Sequence, residues 1–277
     1  MKVHHLNCGT LCPLGSGLIY KGKTGGKLIC HVLLIETPSS GLVLVDTGFG
    51  LDDIKNPWSR LGPGHFFVGP RLLAEESAFQ QVKKLGLEPR DVRHIILTHL
   101  DSDHAGGIAD FPWAKIHVHS AEKEAALHPA LLDFKARARY RQAQWAHGPN
   151  WQAYHSPGDT QPTRERWFGF QAVRELRDLP PEILMIPLHG HSTGHCAVAV
   201  KTPDQGWLLH CGDAYFFRGE VHGRRRRCPP FLEFFQTQFA VDNTLRLSNQ
   251  LRLRELARDH RVAKDVRVFC SHDVSEM

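Results

Sequence analysis

Short apolar runs rich in β-branched residues recur along the chain, separated by polar or glycine-containing segments. Runs of this length and composition are typical of strands that face a hydrophobic core. The predicted strands cover residues 1–6, 28–36, 42–46, 93–97, 115–119, 183–186, 195–201, 207–210 and 266–270. Helical spacing predicts helices over 72–85 and 245–260. The aromatic residues Phe231, Phe234 and Phe235 are predicted to lie in the core.

The elements come as strands followed by a helix, and then as strands and a helix again, with no clear linker between the two sets. This order predicts an α/β fold in a single domain over residues 1–277, with two sheets packed face to face and helices outside. Residues from about 120 to 170 have a loose helical pattern and include several arginines and tryptophans. This segment is either a solvated amphipathic helix or a helical, lid-like insertion over an active site.

Composition is that of an ordinary globular protein, with 42% hydrophobic and 23% charged residues. No apolar run approaches the roughly 18 residues needed to cross a membrane, and the first residues lack the apolar core of a signal peptide. Seven scattered cysteines, an odd number, favour a reducing compartment over a disulfide framework. We therefore expect a cytoplasmic protein with no membrane partner.

The formal net charge is +5, and much of the excess is a run of four arginines at residues 224–227. Such a local run does not by itself indicate nucleic-acid binding. Arg224 and Arg225 are candidates for an anion clamp on a substrate carboxylate or phosphate, because guanidinium groups bind such anions in two-pronged geometry. The alternative is a solvated loop.

Histidine is the outlier of the composition, with 19 residues. The polar cluster His99, Asp101, Asp103 and His104 occupies six positions directly after the apolar run 95–97. Packing does not explain this cluster, because an unpaired carboxylate held out of water costs several kcal/mol. A bound metal ion would explain it.

Further ionisable residues follow other predicted strands. They are Asp46, His191, His195, Asp213 and His272. Each alone is weak evidence, because a histidine at a strand end is commonly a hydrogen-bonded surface residue. Asp46 is either a turn cap or a residue that orients a metal ligand. Taken together, in this order and with these lengths between them, they are strong evidence for a metal site.

The motifs His-x-Asp-x-Asp-His-x-Gly-Gly, Gly-His-Ser-Thr-Gly-His, Gly-Asp and Ser-His-Asp, together with Asp-Thr-Gly at 46–48, resemble those of the metallo-β-lactamase superfamily. The resemblance spans residues 42–273 and is closest to the N-acyl homoserine lactone lactonases and the glyoxalase II-like thioester hydrolases. It implies an αββα sandwich of two packed mixed β-sheets with helices on the outer faces. It also implies a site for two divalent metal ions, with zinc expected and manganese or iron as alternatives.

Carried over position by position, the resemblance assigns roles to individual residues. One metal would be held by His99, Asp101 and His191, and the second by Asp103, His104 and His272, with Asp213 bridging the two. Asp46 and His195 would support the ligands without binding metal. Asp103 and Tyr215 would be catalytic, and Tyr215 and Phe216 would contact substrate. The lactonases carry a tyrosine at the position of Phe216, one residue later than Tyr215.

Asp101 departs from the usual pattern of the family, which has a histidine there. Two divalent ions would be balanced by three carboxylates and a hydroxide, which leaves about zero net charge where the usual set leaves one positive charge. We therefore expect a weaker Lewis acid and better binding of manganese or iron. Asp101→His is expected to raise zinc retention. Alternatively, Asp101 binds poorly and the site holds one metal.

The expected function is a metal-dependent hydrolase that cleaves an ester, lactone or thioester bond of a small molecule with a metal-bound hydroxide. The substrate could be anionic, and the protein is expected to be a monomer or homodimer that does not bind nucleic acid. The alternatives are a phosphodiesterase or nuclease on the same fold, a mononuclear iron dioxygenase, and a metal-binding module without turnover.

Overall fold

The computed structural model describes residues 1–13, 26–131, 133–156, 167–172, 176–259, 261–262 and 264–277. Its strands are β1 (Lys2–Leu11), β2 (Leu28–Glu36), β3 (Leu42–Val45), β4 (Val92–Ile96), β5 (Lys115–His119), β6 (Asn150–Tyr154), β7 (Ile183–Pro187), β8 (Cys196–Thr202), β9 (Gly206–His210) and β10 (Val266–Phe269). Its α-helices are α1 (Leu51–Lys55), α2 (Pro57–Leu61), α3 (His65–Val68), α4 (Ala78–Lys84), α5 (Ser102–Ala105), α6 (Ser120–Leu127), α7 (Phe134–Arg139), α8 (Pro230–Phe239) and α9 (Asn243–Arg258). Short 3-10 turns cover Ala74–Glu76, Pro89–Asp91, Gly106–Asp110, Gln142–Trp145, Arg218–Glu220 and Val274–Glu276.

The strands form two mixed sheets, in the orders β1-β2-β3-β4-β5-β6 and β10-β9-β8-β7. Strand β4 runs parallel to its neighbours β3 and β5, and β10 runs parallel to β9. Strand β7 is antiparallel to β8, which is antiparallel to β9, so β7 and β9 run in the same direction. Within each sheet, the strands that precede the predicted ligands therefore end at one common edge.

Alternation of side chains along the strands produces the layers. Val43 and Val45 of β3 face the second sheet and pack with Met185 of β7. The intervening Leu44 faces outward and packs with Val82 of α4. On the other side, α9 covers the outer face of the second sheet. The predicted αββα sandwich is confirmed.

Three details of the sequence prediction are wrong. The segment around 120–170 is not helical throughout, because residues 150–154 form strand β6 at the edge of the first sheet. Residues 157–166 of that segment lie outside the described residues. The predicted helix over 72–85 is shorter and is preceded by a 3-10 turn. Phe231 and Phe234 are 43% and 61% exposed on helix α8, so they are not core residues.

Across the described ranges, no helix combines the length and the apolar composition that spanning a bilayer requires.

Candidate metal centre

The structure brings all seven predicted donors to the common edge of the two sheets. Their ligand atoms form two groups, and within each group all the ligand atoms lie within 4.8 Å of one another. The first group is His99, Asp101, His191 and Asp213, and the second group is Asp103, His104 and His272.

Asp213 lies between the two groups. Its Oδ1 is 3.2 Å from His104 Nε2 and 3.1 Å from His272 Nε2. Its Oδ2 is 3.3 Å from His191 Nε2 and 3.7 Å from His99 Nε2. Oδ2 also lies 3.2 Å from His272 Nε2, so the Asp213 carboxylate as a whole contacts histidines of both groups, as a bridging ligand must.

Several buried donor atoms fit a metal better than they fit the protein around them. His99 Nε2, His104 Nε2 and Asp213 Oδ1 are buried and make no hydrogen bond within the part of the chain that the structure describes. Such orphaned polar atoms are costly in a protein interior unless something binds them. A donor set of imidazole and carboxylate suits zinc, manganese and iron.

The opposite ring nitrogens of these histidines are tied to the fold. His104 Nδ1 donates to Asp46 Oδ2 at 2.8 Å, and His272 Nδ1 donates to the backbone oxygen of Ile29 at 2.7 Å. His99 Nδ1 is 2.9 Å from Thr98 Oγ1. These bonds fix the ring orientation and leave each Nε2 free to coordinate.

The electrostatics favour positive charge at His104 and oppose it at His191. Burial alone would lower the pKa of His104, but the Asp213 and Asp103 carboxylates raise it well above its ordinary value. Burial would likewise raise the pKa of Asp213, yet His272 and His104 hold it well below its usual range. The pKa of His191 falls to about 3, because of burial and then the nearby Arg139. The carboxylates of the acidic donors stabilise positive charge placed beside them.

Asp46 and His195 occupy supporting positions. Asp46 accepts hydrogen bonds from the backbone and hydroxyl of Thr98, both at 2.8 Å, in addition to its bond with His104. His195 Nδ1 donates to the backbone oxygen of Leu188 at 2.9 Å, and its Nε2 accepts from the Asp213 backbone at 2.9 Å. Asp46 thus orients a candidate ligand, and His195 fixes the loop that carries another.

Glu122 has a supporting role that the sequence did not reveal. Its carboxylate is fully buried and accepts four hydrogen bonds. Oε1 accepts from the Leu100 backbone and the Tyr140 hydroxyl, both at 3.0 Å. Oε2 accepts from the Ser192 hydroxyl at 2.6 Å and the Gly194 backbone at 2.8 Å. One side chain therefore holds together two of the three loops that supply the first donor group, namely those of His99 and His191.

Arg139 is the second unexpected neighbour. Its guanidinium forms a two-pronged ion pair with Asp101, with Nε to Oδ1 at 2.5 Å and Nη2 to Oδ2 at 2.7 Å. The sequence placed this arginine only in a segment that could form a lid. Burial alone would raise the pKa of Asp101, but Arg139 and His99 lower it well below its ordinary value.

The structure separates Tyr215 from Phe216. Tyr215 is fully buried, and its hydroxyl donates to Glu276 at 2.9 Å, within the core beneath the second sheet. It is therefore not brought to the donor groups. The Phe216 ring instead lies 4.4 Å from the His272 ring and 6.0 Å from the His191 ring, measured between centroids. Phe216 borders the site.

The arginine run lies elsewhere. Arg224 and Arg225 are exposed and line a surface depression with His222, and the residues of that depression include no candidate metal ligand. The predicted anion clamp is thus not assembled at the donor groups. Arg226 instead pairs with Glu220 at 3.0 Å and Glu233 at 2.7 Å.

Glu220 and Glu233 also form a third cluster, with Cys228, whose atoms approach closely enough to hold an ion. The Arg226 guanidinium already supplies the positive charge that this cluster needs.

Comparisons with known proteins agree with this geometry. The sequence model of the metallo-beta-lactamase superfamily matches residues 25–264. A probable metallo-hydrolase of Mycobacterium tuberculosis is 43% identical over 274 residues, covering 99% of this chain and 80% of that protein. An N-acyl homoserine lactonase of Bacillus thuringiensis is 28% identical over 288 residues, covering 99% and 94%. A solved N-acyl homoserine lactone hydrolase, with the product N-hexanoyl-L-homoserine at its catalytic metal centre, superposes with a TM-score of 0.69 at 26% identity, covering 99% and 94%.

Proposed function

The chain belongs to the metallo-β-lactamase superfamily, and we propose that it is a metal-dependent hydrolase that opens the ester bond of a small lactone or a related ester. The observation that carries this proposal is the convergence of seven donor side chains into two groups that share Asp213. The likeness to N-acyl homoserine lactonases over nearly the whole chain supports a lactone as the first substrate class to test.

The donor set defines how two divalent ions would be held. His99, Asp101 and His191 would hold one ion, His104, Asp103 and His272 the other, and Asp213 would bridge them. When bound, such ions supply Lewis acidity towards a carbonyl oxygen and a nucleophile at neutral pH. The side chains of Asp101 and Asp103 are 17% and 18% exposed, so each group meets solvent through one carboxylate.

Aromatic rings give the site an apolar wall. Phe216 packs against Phe235 at 6.1 Å, and Phe235 stacks on Phe239 at 4.3 Å. Phe239 is 42% exposed, so this row of rings runs from the donors to the surface along α8. We expect the apolar part of the substrate to lie along the row and to be held by desolvation of the rings.

Helix α7, which lies in the segment around 120–170, is proposed to cover the site. Arg139, which lies in this segment, reaches Asp101. The next residue, Tyr140, is anchored to Glu122 at 3.0 Å. These contacts support a cover over the first donor group and not a freely solvated helix.

The alternatives gain no comparable support. A nuclease would need a basic surface at the donors, but Arg224 and Arg225 line a separate depression. A mononuclear iron dioxygenase needs one group of ligands, whereas the donors form two groups.

The test is a substrate panel with defined metals. Purified protein is stripped with a chelator and reloaded with zinc, manganese or iron(II) under anaerobic conditions. It is then assayed with N-acyl homoserine lactones of several acyl lengths, γ-butyrolactone, p-nitrophenyl esters, a glutathione thioester and bis-p-nitrophenyl phosphate. We expect metal-dependent opening of lactones or esters, with higher kcat/KM for longer acyl chains.

His104→Ala is the variant that tests the metal dependence. It removes one candidate ligand, and we expect loss of bound metal and of turnover while the circular dichroism spectrum is unchanged. Turnover by His104→Ala equal to that of the wild type, or hydrolysis of the phosphodiester alone, would contradict the proposal.

A further inference from the structure

Arg139, the last residue of α7, holds Asp101 in an unusually complete set of contacts. Besides the two-pronged ion pair, its Nη1 donates to the backbone oxygens of His191 at 2.9 Å and Phe239 at 3.0 Å. The Arg139 and Asp101 side chains are only 10% and 17% exposed. The pair is therefore largely desolvated, and each guanidinium nitrogen has a partner.

The local sequence places this guanidinium. Asp133 caps α7, because its Oδ1 accepts from the Ala136 backbone at 2.8 Å. The residue after Arg139, Tyr140, is buried and anchored to Glu122. Arg139 is thus held between two fixed points and does not reach the site as a loose surface side chain.

Arg139 also touches a donor atom directly. Its Nη2 lies 2.6 Å from His191 Nε2, and the Asp101 Oδ2 that it binds lies 3.3 Å from His99 Nε2. The guanidinium therefore contacts two of the four members of the first donor group. A fixed positive charge at this position competes with a cation for His191 and repels it.

We propose that Arg139 is a positioning residue that tunes the first donor group. It orients Asp101 and cancels its charge, so that the pair together presents the same net charge as one neutral histidine. The guanidinium weakens cation binding at this group, and a cation bound there stays electrophilic because Asp101 donates less charge to it. This inference rests on the proposed function, because it requires a cation at the first group.

The first test is a zinc titration of chelator-stripped protein, monitored by competition with a chromogenic chelator. In Arg139→Gln we expect one of the two zinc ions to bind about tenfold more tightly, because a like charge has been removed. On the substrate that the panel identifies, kcat is expected to fall by about tenfold with KM little changed. A purely structural role would weaken zinc binding and activity together. Arg137→Gln, an exposed arginine on the same helix, should leave both unchanged.

The second test removes both charges. Asp101→His alone leaves a buried guanidinium without its carboxylate, and we expect this variant to lose zinc from one site. The double variant Asp101→His/Arg139→Gln is expected to regain two zinc ions. Regained zinc binding in this double variant, in which both side chains are neutral, would indicate that Arg139 cancels the charge of Asp101.

Two results would overturn the inference. One is an unchanged or weaker zinc affinity in Arg139→Gln, and the other is full zinc retention by Asp101→His alone. Either result leaves the proposed hydrolase intact. The titration uses no substrate, so an incorrect substrate class leaves this inference intact. A wild-type protein that takes up none of zinc, manganese and iron(II) overturns both proposals.

Discussion

Glu122 offers the sharpest test of how the candidate site is held together. Its two carboxylate oxygens accept four hydrogen bonds, from the backbones of Leu100 and Gly194 and from the hydroxyls of Tyr140 and Ser192. All four partners are donors. Glu122→Gln keeps the shape of the side chain, but its amide nitrogen would face two of those donors and could accept from neither.

The expected loss follows from the hydrogen bonds removed. A hydrogen bond to a charged group contributes about 1.5–3 kcal/mol, so losing two lowers the free energy of unfolding by about 3–6 kcal/mol. Domains are stable by about 5–15 kcal/mol, so this is a large fraction of the total. The Tm should fall by on the order of 10 °C, since about 1 kcal/mol corresponds to about 2–4 °C in domains of this size.

The assay is chemical and thermal denaturation of the chelator-stripped protein, followed by its zinc content after reloading. Glu124→Gln on the same helix is the matched control. Glu124 is exposed, and its one ion pair joins Oε2 to His128 Nε2 at 3.9 Å within the part of the chain that the structure describes. Such surface pairs contribute about 0–1 kcal/mol to the free energy of unfolding. Equal denaturation midpoints for Glu122→Gln and the control, with equal zinc content, would refute the assigned role of Glu122.

Two further predictions concern the chain terminus and pH. Removing residues 272–277 deletes His272 and also Glu276, which accepts hydrogen bonds from the Tyr215 hydroxyl and the Cys270 backbone, both at 2.9 Å. Elemental analysis of the truncated protein should show less bound metal. An active truncation would remove His272 from the site. Burial raises the pKa of Asp110 to about 7, so the folded protein binds this proton more tightly than the unfolded chain does. The free energy of unfolding should therefore fall as pH rises from about 4 to 7, by up to about 4 kcal/mol, and Asp110→Asn should flatten that dependence in denaturation curves at pH 5 and 8.

Four of the seven candidate donors could be recognised together because they are local in sequence. His99, Asp101, Asp103 and His104 leave the end of one buried strand within six positions, so the strand end alone brings them together. The supporting residues could not be found in this way. Glu122 looks like an ordinary acidic residue in the first turn of a helix, and its function comes from loops that lie 22 and more residues away.

The positions of Tyr215 and Phe216 depend on the turn that follows strand β9. Strand β9 ends at His210, and Gly212 then has a positive φ of 52°. A side chain at Gly212 would contact His195 Nε2 at 2.6 Å, so only glycine fits this turn. The turn breaks the alternation of a strand and sends Tyr215 into the core and Phe216 towards the donors. Proximity in sequence to Asp213 could not distinguish the two rings.

The aromatic residues of α8 were misplaced for a different reason. Phenylalanine is common both in cores and on functional surfaces, so composition alone does not predict its exposure. Phe231 and Phe234 project outward, whereas Phe235 packs on Phe216 because the helix turns it inward. That division depends on how α8 docks on the site, which no short pattern encodes.

Asp101 shows why a departure from a motif cannot be judged by the motif alone. Counting only the candidate ligands gave a neutral centre and a weak Lewis acid, but the Arg139 guanidinium at 2.7 Å adds one positive charge to that count. A buried ion pair contributes little to stability compared with a well-packed apolar pair, so stability does not explain its presence among metal donors. The effect of Asp101 therefore depends on Arg139, which lies 38 positions away in the sequence, and the inference drawn above predicts that Asp101→His alone loses zinc where the motif by itself predicts better retention.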